Sequence, residues 1–396
     1  MKDKNESFFE YIKKNKYNII KIIIILGIGI MIGMTIQKLL NNKKSSEKLP
    51  NQMNQVYNSL LKEYKEEINE SDLEQAAIKG MIESLDDDYT DYYTKDESSA
   101  FYLRLKGTFV GIGVEITKDD NNETIINAII ENTPASEKGL KAKDKIISIN
   151  GEEVKEKELS EITTKIKNVN EKIKLVVERD GEKLTFELQA RENEIPSVYS
   201  EILETDGKKI GYIAITIFAE NTDEQFAKKL AELEKENIEG LIIDVRSNTG
   251  GHLDTVTNIL KGLLPKNSIM YQIKHGENVK LEKNNLDNQK KYKITVLVNE
   301  LSASASEILA SSLNENLGSE IVGMKTFGKG TVQKVMTLNT GAMIKYTSDY
   351  WLTSKGNEIN KKGVSPTIEV QINSKYFETY DKKDDNQLQG ALKTFN

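Results

Sequence analysis

The chain contains no cysteine, which excludes disulfide frameworks, thiolate nucleophiles and Cys-ligated metals. Histidine is almost as scarce. His252 and His275 are the only two, so multi-His metal sites are excluded as well. Positive charge is not in excess either: 55 basic side chains face 62 acidic ones, a net charge of −7. A chain of this kind does not neutralise the phosphates of a nucleic acid. Hydroxyl, amine and carboxylate groups are left to carry the chemistry, with neither metal nor cofactor called for. At 396 residues, and at about 150 residues per domain, the chain is long enough for two or three domains with cores of their own.

Long hydrophobic runs are absent with one exception. Ile22 to Ile36 carries no charge, although it is shorter than the ~18–20 residues that usually span a bilayer. Tyr17 to Ile20 extend it, with Lys21 snorkelling toward the headgroups. Thr35-Ile36-Gln37-Lys38-Leu39 offers no A-x-A cleavage pattern, so residues 17–40 read as an uncleaved transmembrane signal anchor and not as a removed secretory peptide. Lys13, Lys14 and Lys16 place residues 1–16 in the cytoplasm and the remaining chain outside.

Residues 41–50 form a polar tether ending at Pro50. Residues 51–104 form a helical region. Val56, Leu60, Leu61, Tyr64 and Ile68, then Leu73, Ala77, Met81 and Leu85, recur at helical spacing. Ser71 and Glu74 have the spacing of a capping box opening the second helix. No catalytic constellation appears there, and packing or self-association is the expected role.

Residues 105–191 turn to short strands. A Gly-rich loop, Gly107 to Val114, is followed by Pro134-Ala135 before a short helix, then Gly139-Leu140, Asp144-Lys145-Ile146-Ile147 and an Asn150-Gly151 turn. This order resembles a PDZ domain. Gly111, Ile112, Gly113 and Val114 then fall where successive backbone N–H groups face a peptide's terminal carboxylate, beside a strand edge open to β-augmentation.

Residues 192–375 alternate strands and helices, with Ile210–Phe218, Leu241–Val245 and Ile294–Val298 as strands. Thr222 and Gln225 have capping-box spacing. The order indicates an α/β core of mixed β-α layers. Residues 376–396 end in an amphipathic helical tail with Leu388 and Leu392.

Three segments of the core can carry chemistry. Asp244 to Gly251 follows a buried strand, and its paired glycines free backbone N–H groups toward a developing negative charge. Asn299 to Glu307 holds Ser302, Ser304 and Ser306 between a strand and a helix, where the helix dipole and the next amide favour a nucleophile elbow. Spacing does not choose among the three. In Met324 to Gln333, Lys329 lies between glycines, and a desolvated lysine can serve as a base where histidine is scarce. Gly323 to Lys329 also satisfies the opening of a P-loop. Gly330 replaces the Ser/Thr that binds Mg²⁺, and a strand follows where a helix is required, so nucleotide binding is rejected.

Together the segments resemble the carboxy-terminal processing, or tail-specific, proteases. The resemblance covers nearly the whole chain beyond the anchor, and implies a crotonase/Clp-protease-like core. Carried over by motif, it implies Ser304 as nucleophile, Lys329 as base and Gln333 as the residue that orients it. The implied oxyanion donors are Ala305 and Gly250 or Gly251. It also implies a bacterial membrane serine endopeptidase that takes protein or peptide substrates with free C-termini. The PDZ domain is then a candidate gate, and the N- and C-terminal helices are candidates for a homodimer contact. Three positions depart from the family pattern: Thr249 stands in place of Pro, His252 in place of an apolar residue, and Asp87-Asp88-Tyr89 in place of Asp-Pro-Tyr. A Ser-His-Asp triad through His252 with Asp254 or Asp244 is disfavoured, because Lys329 fills the base role. The non-enzymatic alternative is an inactive, membrane-tethered PDZ module that only binds tails.

Overall fold

The computed structural model describes residues 51–396. The anchor expected at 17–40 and the tether at 41–50 lie outside the described residues. Among the described residues, no helix is long and apolar enough to cross a membrane. The chain divides between Ser84 and Leu85 into two units.

The first unit holds α1 (Asn51–Glu63) and α2 (Glu70–Glu83). Tyr57 Oη donates to Glu70 at 2.9 Å, joining the two helices. Asn69 caps α2 by accepting the Ser71 N–H at 3.0 Å. The expected capping box at Ser71 is therefore corrected: the cap lies two residues earlier, and Ser71 donates to it. Val56, Leu60, Leu61 and Met81 are exposed, and neither helix contains a buried residue.

The second unit opens with β1 (Asp91–Tyr93) and α3 (Lys95–Lys106). Then follow β2 (Thr108–Gly111), β3 (Val114–Lys118), β4 (Thr124–Ile129), α4 (Pro134–Lys138), β5 (Lys145–Ile149), β6 (Glu152–Glu153), α5 (Leu159–Ile166), β7 (Lys172–Arg179), β8 (Glu182–Gln189) and β9 (Arg191–Glu194). β2 and β9 pair antiparallel from Thr108↔Glu194 to Gly111↔Arg191, so this module enters and leaves through one ribbon. Its sheet runs β3-β4-β5-β7-β8 around a core that includes Ile112, Ile126, Ile162 and Leu175. The Asp144 of the sequence pattern is structural. Its buried carboxylate takes Arg179 through Nε and Nη2, both at 2.6 Å.

The core continues with β10 (Val198–Thr205), β11 (Lys208–Ile215), α6 (Thr222–Lys235), β12 (Gly240–Asp244), α7 (Leu253–Leu263), β13 (Ile269–His275), β14 (Asn278–Lys283), β15 (Lys293–Val298), α8 (Ala305–Leu317), β16 (Glu320–Gly323), β17 (Thr331–Thr337), β18 (Met343–Leu352), β19 (Ile368–Glu369), α9 (Ser374–Thr379) and α10 (Asn386–Lys393). The main sheet has the order β10-β11-β12-β15-β16-β19 and is parallel from β11 onward. Every residue of β12 is buried, as a continuous apolar run between two covered faces requires. Phe226, Leu230, Val256, Leu260 and Leu309 from α6, α7 and α8 belong to the main core cluster. Leu388, Ala391, Leu392 and Phe395 form a second cluster with Ile210, Ile242, Leu297 and Val322 of the sheet. The C-terminal helix expected as a dimer contact thus spends its apolar face on its own chain. The Thr222 capping box is also absent. Thr222 Oγ1 accepts from Ala219 N and donates to Ile217 O, and Gln225 reaches Ser197 and Ile195 instead.

β12, β15 and β16 are neighbouring parallel strands. Their carboxyl ends therefore release the three chemistry-bearing segments at one edge of the sheet, the usual place for a site in an α/β layer.

Candidate active site

Ser304 is the N-cap of α8, with φ 54° and ψ −114°, a backbone that a side chain occupies only when its surroundings hold it there. The structure separates the three serines. Ser302 Oγ donates to Val245 O and Ser306 Oγ to Asn248 O, both at 2.8 Å and both buried. Ser304 Oγ donates to no backbone carbonyl among the described residues, and this residue alone of the three is part-exposed.

The glycine loop lies against it. A Cβ on Gly250 would stand 2.8 Å from Ser304 Cβ, and one on Gly251 2.2 Å from Phe218 O, so both positions exclude side chains. Both also have φ in the range open chiefly to glycine, +100° and +147°. Phe218 holds the loop by donating to Gly250 O at 3.0 Å and accepting from His252 N at 2.6 Å. Asn248, fully buried, ties it further: its Nδ2 donates to Ile215 O at 2.8 Å and its carbonyl accepts from Ala303 N at 3.1 Å. Thr249, in place of the family's Pro, is exposed and outside this clamp.

The clamp has a consequence for the expected oxyanion donors. Gly250 N–H donates to Asn248 Oδ1 at 2.9 Å, so this amide is occupied in this conformation. The N–H groups of Gly251 and Ala305 take no partner among the described residues. Ala305 N–H lies at the first turn of α8, where no intrahelical acceptor exists.

Lys329 reaches the site from the loop after β16. Burial, its largest influence, pushes its ammonium below the ordinary lysine range; Lys345 adds to this, and Asp87 and Glu307 oppose it. Nζ lies over the Tyr89 ring, 4.7 Å from the centroid, and donates no hydrogen bond to Ser304 Oγ among the described residues. Gln333, expected to orient it, sits on β17 opposite Thr347. Its Nε2 donates to Thr331 Oγ1 at 2.8 Å and Thr347 Oγ1 at 3.4 Å, so the ladder, and not Lys329, holds it in this conformation.

The residue that joins the segments is Glu307, fully buried in the first turn of α8. Its carboxylate accepts from Ser304 N at 2.7 Å, Thr326 Oγ1 at 2.5 Å, Gly328 N at 2.7 Å and Lys329 N at 2.9 Å. Burial raises its pKa, and those donors oppose the rise. Sequence reasoning missed Glu307, Asn248, Asp87 and Tyr89 as parts of the site. The Ser304-x-x-Glu307 spacing was the available signal for the first. Asp244 is unavailable to a triad with His252, since Tyr212 and Arg246 occupy its carboxylate at 2.7 Å and 2.6 Å. Arg246 also reaches Asp385 at 2.8 Å, linking this loop to the C-terminal tail.

In the PDZ module, Asn193 Nδ2, Ala135 N and Ile130 N donate to the carbonyls of Gly111, Ile112 and Gly113 at 2.9, 2.8 and 2.9 Å. Carbonyl and following N–H point oppositely across a trans peptide. The amides of Ile112, Gly113 and Val114 therefore face away from those contacts, beside β3, the edge strand of its sheet.

Family models place the chain among serine peptidases. Peptidase family S41 matches residues 209–370, a PDZ domain residues 110–190, and the N-terminal domain of activating protease CtpB residues 32–97. The chain is 38% identical over 330 residues to the carboxy-terminal processing protease CtpB of Bacillus subtilis strain 168, covering 82% of this chain and 68% of that one. With CtpA of the same organism it is 34% identical over 332 residues, covering 81% and 68%. It belongs to the carboxy-terminal processing protease family. The solved structure of a Bacteroides fragilis protein assigned to the S41 proteases shares the fold, with a TM-score of 0.52 and 20% identity over 78% of this chain and 87% of that one.

Proposed function

We propose that this serine protease is membrane-anchored, captures the C-terminal tails of protein substrates in its PDZ groove and cleaves them with a dyad of Ser304 and Lys329. One observation carries the reading: Glu307 binds the backbones of both residues, and among the described residues Ser304 alone of the three serines donates its hydroxyl to no backbone carbonyl. In the mechanism, neutral Lys329 takes the proton of Ser304 Oγ as that oxygen attacks the scissile carbonyl. The N–H groups of Gly251 and Ala305 stabilise the oxyanion. Lys329 then protonates the leaving amine, and water resolves the acyl-enzyme. Gln333 turns from its threonines to orient Lys329 in the working state. The amides of Ile112, Gly113 and Val114 hold the substrate's terminal carboxylate while β3 accepts the preceding residues as an added strand.

Residues 17–40 hold the N-terminus in the bacterial cytoplasm and the protease outside. The exposed Val56, Leu60, Leu61 and Met81 of the first unit suit it to self-association.

The test compares the full chain with its Ser304→Ala variant on an unfolded protein ending in apolar residues, and on the same protein with an amidated C-terminus. Cleavage by the parent alone, weakened by amidation, is expected. Binding without cleavage by either form would replace the enzyme with a tail-binding module.

A further inference from the structure

A strap outside the three motif segments also reaches Lys329. Residues 85–90 lead into β1, which pairs with β18, Asp91 opposite Lys345. Thr90 fastens the strap: its Oγ1 accepts the Thr347 N–H at 3.2 Å and donates to Asp87 Oδ2 at 2.6 Å. Asp87 Oδ1 accepts the Tyr89 N–H at 3.1 Å. This closes a turn that lays the Tyr89 ring against Lys329, with Nζ 4.7 Å from the centroid. Thr347 is also the partner of Gln333 in the β17–β18 ladder, so strap and ladder share a rung.

We propose that Tyr89 and Asp87 are positioning residues for Lys329, the ring walling one side of Nζ from water and the carboxylate setting the charge that the ammonium faces. The proposal rests on Lys329 being the general base. Charged groups act on it from three elements: Lys345 from β18, Asp87 from the strap and Glu307 from α8. Burial and Lys345 disfavour the ammonium, whereas Asp87 and Glu307 favour it. Burial alone would raise Asp87, but hydrogen bonds from Thr90, Thr347 and the Tyr89 amide outweigh it, with Lys329 adding, and hold it below the ordinary carboxylate range. Asp87 is therefore charged at neutral pH. Burial first, then Asp88, Glu307 and Asp87, push the Tyr89 hydroxyl up, so the ring stays neutral. A ring face attracts a cation, but it does not replace the hydration it excludes.

The two residues thus act on the base with opposite sign. In the full chain, kcat/KM for a cleavable peptide is followed against pH, since its ascending limb reports the base of the free enzyme. Asp87→Asn removes a charge that favours the ammonium and moves the limb to lower pH. Tyr89→Ala admits water and moves it to higher pH, each shift being roughly half a unit or more. Tyr89→Phe keeps the ring face and returns the limb to the parental position. Thermal unfolding is recorded for every variant. A merely structural strap lowers activity evenly across pH and leaves the limb in place. That result, or shifts of both variants in one direction, or a folded variant inactive at every pH, overturns the proposal. If Tyr89→Ala does not fold, the direction of the Asp87→Asn limb decides. Ser304→Ala and Lys329→Arg run as controls: activity in either removes the dyad, whereas two inactive controls with unshifted limbs remove only the role of the strap.

Discussion

Glu307 Oε2 lies 2.7 Å from the backbone nitrogen of Ser304 and accepts its hydrogen bond. The same carboxylate accepts from the backbone of Gly328 and Lys329, so one side chain fixes the elbow and the loop opposite it. Glu307→Gln keeps the shape but turns an amide NH₂ toward N–H donors. The expected cost is about 1–3 kcal/mol of stability, the penalty for a buried unmatched polar group. Urea unfolding reads the stability and steady-state kinetics a fall in kcat. A variant equal to the parent in both would show that the two loops hold their places without it.

The lowered pKa of Lys329 gives the pH dependence its sign. As the proposed base, Lys329 works unprotonated, so activity is expected to rise as pH climbs through that pKa, below the ordinary lysine range, and to be lost on the acid side. Lys329→Arg places a guanidinium that does not deprotonate, and turnover is expected to vanish at every pH. A pH profile of the parent beside this variant checks both.

Gly250 is packed too closely for any side chain. In Gly250→Ala the new methyl meets Ser304 Cβ and Ala303 O, both at 2.8 Å, on a backbone with φ +100°. Displacement of Ser304, the proposed nucleophile, is expected to cost on the order of 10²-fold in kcat. Gly262→Ala is the control: a Cβ there meets nothing within 4 Å, on α7. Parental kcat in Gly250→Ala would separate the glycine loop from the proposed nucleophile.

Arg246 stands between Asp244 and Asp385 with most of its side chain buried. Asp385→Ala leaves part of that guanidinium unpaired, and a loss of roughly 3 kcal/mol or more is expected. The melting temperature should fall, and peptidase activity with it, because the same arginine lies in the loop that leads to Gly250. A fully stable variant would make the tail dispensable to the core.

The first unit provides a test of assembly. Val56 and Leu60 are exposed on α1. If they mediate self-association, Val56→Asp with Leu60→Asp halves the mass measured by light scattering. A monomeric parent at micromolar concentration would end the dimer reading.

The core was legible because its signals are local. Leu241 to Val245 is an unbroken apolar run, and the paired glycines before α7 answer to φ values that few other residues adopt. The site was only partly legible because hydrogen-bond partners are not local. Ser302, Ser304 and Ser306 are equivalent in sequence, and the carbonyls of Val245 and Asn248 on another loop distinguish them. Asn248 is likewise one polar residue among several until its contacts to Ile215, Gly250 and Ala303 are seen. Gly250 and Gly251 are equivalent as oxyanion candidates for the same reason, since nothing in the run Ser247-Asn248-Thr249-Gly250 tells which amide the asparagine takes.

Helix α10 is docked on the main sheet. Leu388, Leu392 and Phe395 are buried against the main sheet, and Lys208 Nζ bonds the Phe395 carbonyl. Strand addition to a sheet edge needs an extended stretch, and Asn386–Lys393 is instead helical and seated in a core, so this segment becomes available to such an edge only after it undocks.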